Sequence, residues 1–180
     1  AAILGIPTTN IMALLTSAGL AIGLALQGGL SNLVGGLTLL ISKPFVVGDY
    51  IDANGKSGTV QSINIFYTTI LTIDNCRIVI PNGTLANSVV SNYSAEPRRR
   101  VDIDFSVDYE SDLDTVYSCL RHVAEKSEYA LNDPEPFTGL KEHGDSALVV
   151  TLRVWAETEH YWDLYFYLKD AVKREFDEHG

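Results

Sequence analysis

Polar and apolar positions change rhythm twice along this 180-residue chain. From Pro7 to Gln27 apolar and small residues run without a charge, about 30 Å at 1.5 Å per residue, which is enough for one bilayer crossing. Pro7 suits the first turn of a helix, so the spacing predicts a helix from there. Beyond Gly28-Gly29, Leu30, Leu33, Val34, Leu37, Leu40 and Ile41 recur at helical intervals, with Ser31, Asn32 and Thr38 elsewhere. That is an amphipathic helix ended by Lys43-Pro44, suited to the membrane boundary or to docking on the domain after it. Each glycine costs about 1 kcal/mol relative to alanine in a helix interior, so a break or kink is expected at the pair. A flexible linker fits less well, because the periodicity resumes at once.

From Phe45 to Asn92 the rhythm becomes short runs with turn signals: Val46 to Ile51, Asn54-Gly55, Thr59 to Ile65, Thr68 to Ile73, Asp74-Asn75, and Arg77 to Ile80 before Pro81-Asn82-Gly83. About five strands in this stretch suggest a compact SH3- or Sm-like β barrel. After Glu96-Pro97 the order reads β-α-β-β-α. Val101, Ile103, Phe105 and Val107 alternate with polar residues, and Ser111-Asp112-Leu113-Asp114 resembles a capped helix start. Leu113, Val116, Tyr117, Leu120 and Val123 form that helix's stripe. Phe137 to Leu140 and Ala147 to Trp155 pair as strands, and Tyr161, Leu164, Tyr165, Leu168, Ala171, Val172 and Phe176 line a last helix. These elements suggest a ferredoxin-like α+β unit. The expected organisation is therefore a membrane protein of α + β class: 1–43 a kinked transmembrane and lateral helix, 44–95 the β domain, and 96–180 the α+β domain.

Charge sharpens this division. Ala1 to Ser42 holds no Asp, Glu, Lys, Arg or His, and half of the 14 glycines; all 36 charged residues lie beyond it. A cleaved signal peptide would carry a basic residue before its apolar run, and none is present. The net charge of -10 disfavours nucleic acid and anionic lipid as partners of the polar part. Cys76 and Cys119 stand far apart with no CxxC context and read as packing residues.

On a helical wheel with Ser17 at zero, Ser17, Ala21 and Ala25 cover roughly 0 to 80°, and Gly19 and Gly23 lie near roughly 200 to 240°. Small rows let helices approach closely. Two rows on opposite flanks imply a copy on either side, and therefore a ring. Of the two remaining faces, the one with Leu20, Leu24 and the polar Gln27 suits an axis better than the one with Leu15, Ile22 and Leu26. Stacked leucine collars would close such an axis by dewetting. From spacing alone, packing against other membrane helices fits equally well.

Catalytic chemistry is hard to find. His122, His143, His160 and His179 fit no ligand spacing, and no nucleophile arrangement or phosphate-cradling loop is present, so neither an enzyme nor a cofactor or metal is expected. His143, beside Glu142 and Asp145, reads as a solvated turn, and Asp102 with Asp104 as the polar face of a strand. Arg98, Arg99 and Arg100 fit ion pairs with surface carboxylates better than an anion or membrane site.

The run from Ala18 to Gly28, AGLAIGLALQG, continuing to Leu33, closely resembles the pore helix of the small-conductance mechanosensitive channel (MscS) family. Lys43-Pro44-Phe45, Val47-Gly48-Asp49, Ile80-Pro81-Asn82-Gly83, Arg153-Val154-Trp155 and Lys173-Arg174-Glu175-Phe176 agree in order. The resemblance implies a tension-opened ion channel subunit that releases ions and small osmolytes on hypoosmotic shock. It implies a homoheptamer in the bacterial inner membrane, in contact with lipid and with its polar domains cytoplasmic. It also implies that Leu20 and Leu24 are the gate, Gly28 and Gly36 hinges, and Gly19, Ala21, Gly23 and Ala25 packing residues beside Ser17. Thr16 and Ser17 depart from the family's usual glycine and alanine, which would bring hydroxyl hydrogen bonds to helix sliding. The chain starts just before the pore helix and stops where the family usually continues. The alternatives are a non-conducting membrane-anchored scaffold for a protein partner and, less well supported, a membrane-tethered enzyme.

Overall fold

The computed structural model describes residues 8–179, so the helix start expected at Pro7 lies outside the described residues. The chain forms two compact units, Ala1–Ala95 and Glu96–Gly180.

The first unit opens with helix α1, Thr8–Ser42. Its hydrogen-bonded ladder runs unbroken through Gly28-Gly29, so the expected break is not there. Glycine lowers helix stability without forbidding the helix, and the good helix formers Leu24 to Gln27 before the pair and Leu30 after it help to carry the ladder across. Lys43, at φ 45, ends α1, and Phe45 drops into the core, 2% exposed.

A five-stranded antiparallel sheet comes next, with β1 Tyr50–Ala53, β2 Lys56–Ile63, β3 Tyr67–Leu71, β4 Arg77–Pro81 and β5 Val90–Asn92 in the order β4-β3-β2-β1-β5. The sheet's edges are β4 and β5, so the expected barrel is not closed by a pairing between them. The run expected as a strand from Val46 begins as a turn instead: Asp49 accepts from the Val46 N–H at 2.9 Å, and Gly48 sits at φ 103. Asn54-Gly55 makes the expected tight hairpin, with φ 53 and 72 as a type I′ turn requires. Helix α2, Asn82–Ala86, occupies the position read as a Pro-Asn-Gly turn. The core joins Ile51, Val60, Ile70, Ile80 and Leu85 with Phe45 and, from α1, Leu39.

The second unit keeps the order expected: β6 Arg98–Val107, α3 Leu113–Glu125, β7 Phe137–His143, β8 Leu148–Glu157, a 3-10 turn, and α4 Tyr161–His179. The sheet is antiparallel in the order β6-β8-β7, three strands rather than the four of a complete ferredoxin-like sheet. Asp112 caps α3, accepting from Thr115 N at 3.1 Å and from the Thr115 hydroxyl. One sheet face, with Val101, Ile103, Val150, Leu152 and Val154, packs on Leu120, Leu164 and Leu168, all buried. Cys119 is buried in α3, where desolvation and then the charge of Glu175 raise its thiol pKa. Cys76 is exposed in the β3–β4 turn and is not the packing residue expected.

Candidate functional site

Helix α1 is 35 residues long and is the one described helix long and apolar enough to cross a membrane. None of its most apolar window is buried. Leu20 and Leu24 are 65% and 63% exposed, and Ser17, Ala21, Ala25 and Gln27 are exposed as well. A Cβ at Gly19, Gly23, Gly28 or Gly29 would meet nothing within 4 Å. Every residue singled out for gate and packing thus stands on a helix surface that its own chain leaves bare.

The hydroxyls of Thr16 and Ser17 turn inward on their own helix. Thr16 donates to the Met12 carbonyl at 2.8 Å and Ser17 to the Leu14 carbonyl at 3.0 Å. Back-bonding of this kind spends a hydroxyl's one donor on its own helix and leaves only its acceptor lone pairs for a neighbour.

The second half of α1 docks by an unexpected face. Its apolar stripe stays uncovered, with Leu30, Val34, Leu37 and Ile41 all more than half exposed. Contact is made instead by Asn32, Gly35, Gly36 and Leu39. The Gly83 N–H donates to Asn32 Oδ1 at 2.9 Å. A Cβ at Gly35 would stand 2.6 Å from the Asn82 carbonyl oxygen, and one at Gly36 would overlap the Ile65 carbonyl oxygen and lie 2.6 Å from Asn82 Nδ2. Two adjacent glycines therefore let the α1 backbone touch the backbone of the β2–β3 turn and of α2.

The hub of this clasp is Asn82, which is fully buried. Its Nδ2 donates to the carbonyls of Asn64 at 2.7 Å and Ile65 at 3.0 Å, while its Oδ1 accepts from the Thr68 hydroxyl at 2.8 Å. Its backbone N–H donates to the Phe66 carbonyl at 2.9 Å. An amide side chain has two donors and an acceptor oxygen, and here all three sites are engaged. Asn82, Gly83 and Gly35 escape a reading by sequence, because an Asn-Gly pair after proline is first of all a turn signal. The one clue is the presence of Ile80-Pro81-Asn82-Gly83 among the family-like motifs. Beside the clasp, Gln27, Leu30, Ser31, Val34, Thr38 and Asn87 line a cavity of about 450 Å³ between α1 and α2.

In the second unit the polar residues pair locally. Arg100 grips the Asp102 carboxylate through Nε at 2.6 Å and Nη2 at 2.9 Å, an arrangement that raises the pKa of Arg100. The Arg99 guanidinium lies 3.8 Å from the Tyr161 ring centre. His143 is exposed and stacks on Tyr109. His160 comes together with Glu157 and Glu159, a grouping the spacing did not reveal, and also pairs with Asp163 at 3.2 Å.

A bare membrane-length helix clasped to a β unit, with an α+β unit after it, is the layout of a membrane-anchored chain with two polar units. Family models agree: residues 29–95 match the mechanosensitive ion channel beta-domain, and residues 101–180 the C-terminal domain of the mechanosensitive ion channel MscS. The small-conductance mechanosensitive channel of Edwardsiella ictaluri is 42% identical over 161 residues, 89% of this chain and 56% of that protein. An uncharacterised MscS family protein of Buchnera aphidicola is 40% identical over 177 residues, 98% of this chain and 58% of its own. The crystal structure of Helicobacter pylori MscS in the closed state superposes with a TM-score of 0.91 at 34% identity, over 97% of this chain and 70% of that one. The chain belongs to the MscS family of mechanosensitive channels. It spans 56% and 58% of the length of the two relatives named. The scaffold alternative gains no support from these matches.

Proposed function

We propose that the chain carries the pore helix and the polar chamber of a homo-oligomeric, by resemblance heptameric, mechanosensitive channel. Membrane tension opens it to ions and small osmolytes on hypoosmotic shock. The carrying observation is the bare first half of α1, whose two small-residue rows flank a Leu20, Leu24 and Gln27 face. Copies that pack Ser17, Ala21 and Ala25 against Gly19 and Gly23 of the next turn that face to a shared axis. Leu20 and Leu24 then form the constriction and Gln27 its polar mouth. Tension favours the state of larger in-plane area, and the equilibrium moves only because the states differ in that property.

Gly28 gives α1 a point of low helix stability between the bare half and the clasped half, and Gly36 anchors the clasped half. Bending at the first and release at the second is how the pore half would move while the β unit stays folded. The uncovered stripe from Leu30 to Ile41 lies against lipid or a neighbouring subunit. The cellular location proposed is the bacterial inner membrane, with the polar units in the cytoplasm and the full-length protein multi-pass. Patch-clamp recording of Leu20→Ser tests the gate: a lower opening threshold or a standing leak is expected, and an unchanged threshold removes Leu20 from the constriction.

A further inference from the structure

The turn between β8 and α4 gathers three side chains that can ligate a metal. The 3-10 helix Thr158–His160 follows Glu157, the last residue of β8. Side chains three apart eclipse in a 3-10 turn, so Glu157 and His160 stand on one side of it with Glu159 between them in sequence. One donor atom from each of Glu157, Glu159 and His160 lies within 4.8 Å of the others, the one such group among the described residues. Histidine spacing could not show it, because a single turn supplies all three donors.

The turn is held in place from outside. The Thr158 N–H donates to the Pro97 carbonyl at 3.0 Å and its hydroxyl to the Glu96 carbonyl at 2.5 Å. The Tyr129 ring lies against the imidazole of His160, with ring centres 5.3 Å apart. Arg98 stands opposite Glu157 in the β6–β8 register but donates to the Asp133 carbonyl at 3.3 Å. Glu157 enters no ion pair among the described residues.

The imidazole separates this group from ordinary surface acid. His160 Nδ1 lies 3.2 Å from Asp163 Oδ2, and Nε2 lies 3.8 Å from Glu159 Oε1. With the ring proton on Nδ1 and donated to Asp163, Nε2 turns its lone pair toward the glutamates. A carboxylate behind a ligating histidine is the usual outer contact of a metal site, since it fixes the ring and makes the nitrogen more basic. Ligands about 2.1 Å from a tetrahedral ion stand about 3.4 Å apart, so little closure is needed, and both glutamates are exposed and able to swing. One nitrogen with two carboxylate oxygens suits zinc and its first-row neighbours, whereas calcium and magnesium take oxygen shells.

We infer that Glu157, Glu159 and His160 bind one divalent cation of the zinc class, with water completing the shell and Asp163 as a positioning residue. The ion ties the end of β8 to the turn that starts α4, and by binding only the folded unit it stabilises that unit by mass action. The inference is independent of the channel reading.

Calorimetric titration of the full chain in detergent with zinc chloride tests it, with the exposed Cys76 replaced by serine so that no exposed thiol competes. One equivalent bound per chain is expected, together with a higher fluorescence midpoint in denaturant, since Trp155 and Trp162 both lie in this unit. Binding should weaken about tenfold or more in His160→Ala and in the double variant Glu157→Gln with Glu159→Gln, and by about 10–100-fold in Asp163→Asn. It should be unchanged in His143→Ala and in excess magnesium chloride. The double variant keeps the histidine and its ring contact, so it decides the matter should His160→Ala lose its fold. Absence of saturable zinc binding, wild-type affinity in His160→Ala or in the double variant, or displacement by magnesium overturns the site and leaves a solvated acidic turn. Wild-type affinity in Asp163→Asn overturns the positioning role alone.

Discussion

At the scale of single residues, the glycines of α1 divide by what surrounds them. A methyl group at Gly28 enters open space, whereas one at Gly36 overlaps the Ile65 carbonyl. Gly28→Ala therefore stabilises the helix by about 1 kcal/mol and stiffens it. The expected result is altered closure or current decay under sustained tension with the fold intact, and unchanged decay removes the hinge. Gly36→Ala is expected to lift α1 off the β unit, read as a gain in labelling of a cysteine placed at Leu39. Asn82→Ala strands the Thr68 hydroxyl and two carbonyls, at about 1–3 kcal/mol for each buried group left unsatisfied. Chemical denaturation should show a lower midpoint, where a merely local turn would show none. Asp104 gives a prediction in pH. Its carboxyl lies below the usual carboxylate range, first because Lys141 donates to it and further through Thr151, with burial opposing. A depressed folded pKa contributes stability that is complete above the ordinary carboxylate range and drains away as pH falls through the folded value. Stability should fall on acidification through that window, less steeply in Asp104→Asn.

At the scale of elements, the legible parts were those whose periodicity and burial coincide. The strand alternation in β6 and β8, the Asp112 cap and the Leu164, Leu168, Val172 stripe of α4 stand where their spacing placed them, because each buries one face against its own unit. Helix α1 breaks that coincidence. Its strongest apolar stripe, Leu30 to Ile41, is not what docks; the polar and small face of Asn32, Gly35 and Gly36 is. In an aqueous unit, hydrophobicity and the contact face go together. On the proposed placement at a membrane boundary, lipid would be a second solvent for the apolar face, which would leave backbone proximity and hydrogen bonds to choose the contact. Neither leaves a periodic signal. In the first half of α1 the fixed spacing of small residues marks faces for close helix approach, and the proposed Leu20 and Leu24 gate rests on that spacing. Helix α2 stayed hidden because its first two residues are turn formers, and its role in the clasp comes from Asn64, Ile65 and Asn32, far away in sequence.

At the scale of the molecule, composition is distributed so that one measurement separates the two units. Each has its own core, one built on Phe45, Ile51 and Ile70 and the other on Leu120, Leu152 and Leu164. Both tryptophans, Trp155 and Trp162, lie in residues 96–180, whereas the longest helix lies in residues 1–95. Tryptophan fluorescence thus reports the α+β unit alone, while far-UV ellipticity sums both units, with 35 helical residues in α1 and 13 and 19 in α3 and α4. Chains with separate cores need not unfold in one step. In denaturant the two signals are therefore expected to change at different midpoints. Leu164→Ala, truncating a fully buried side chain, should move the fluorescence midpoint by the equivalent of about 2–5 kcal/mol, together with the part of the ellipticity change that α3 and α4 supply, and leave the remaining part in place. Gly36→Ala should do the reverse, since its clash falls inside the first unit. Coincident midpoints that shift together in both variants would mean that the two cores share one cooperative transition. The acidic unit would then share its folding with the unit that carries α1 instead of folding independently of it.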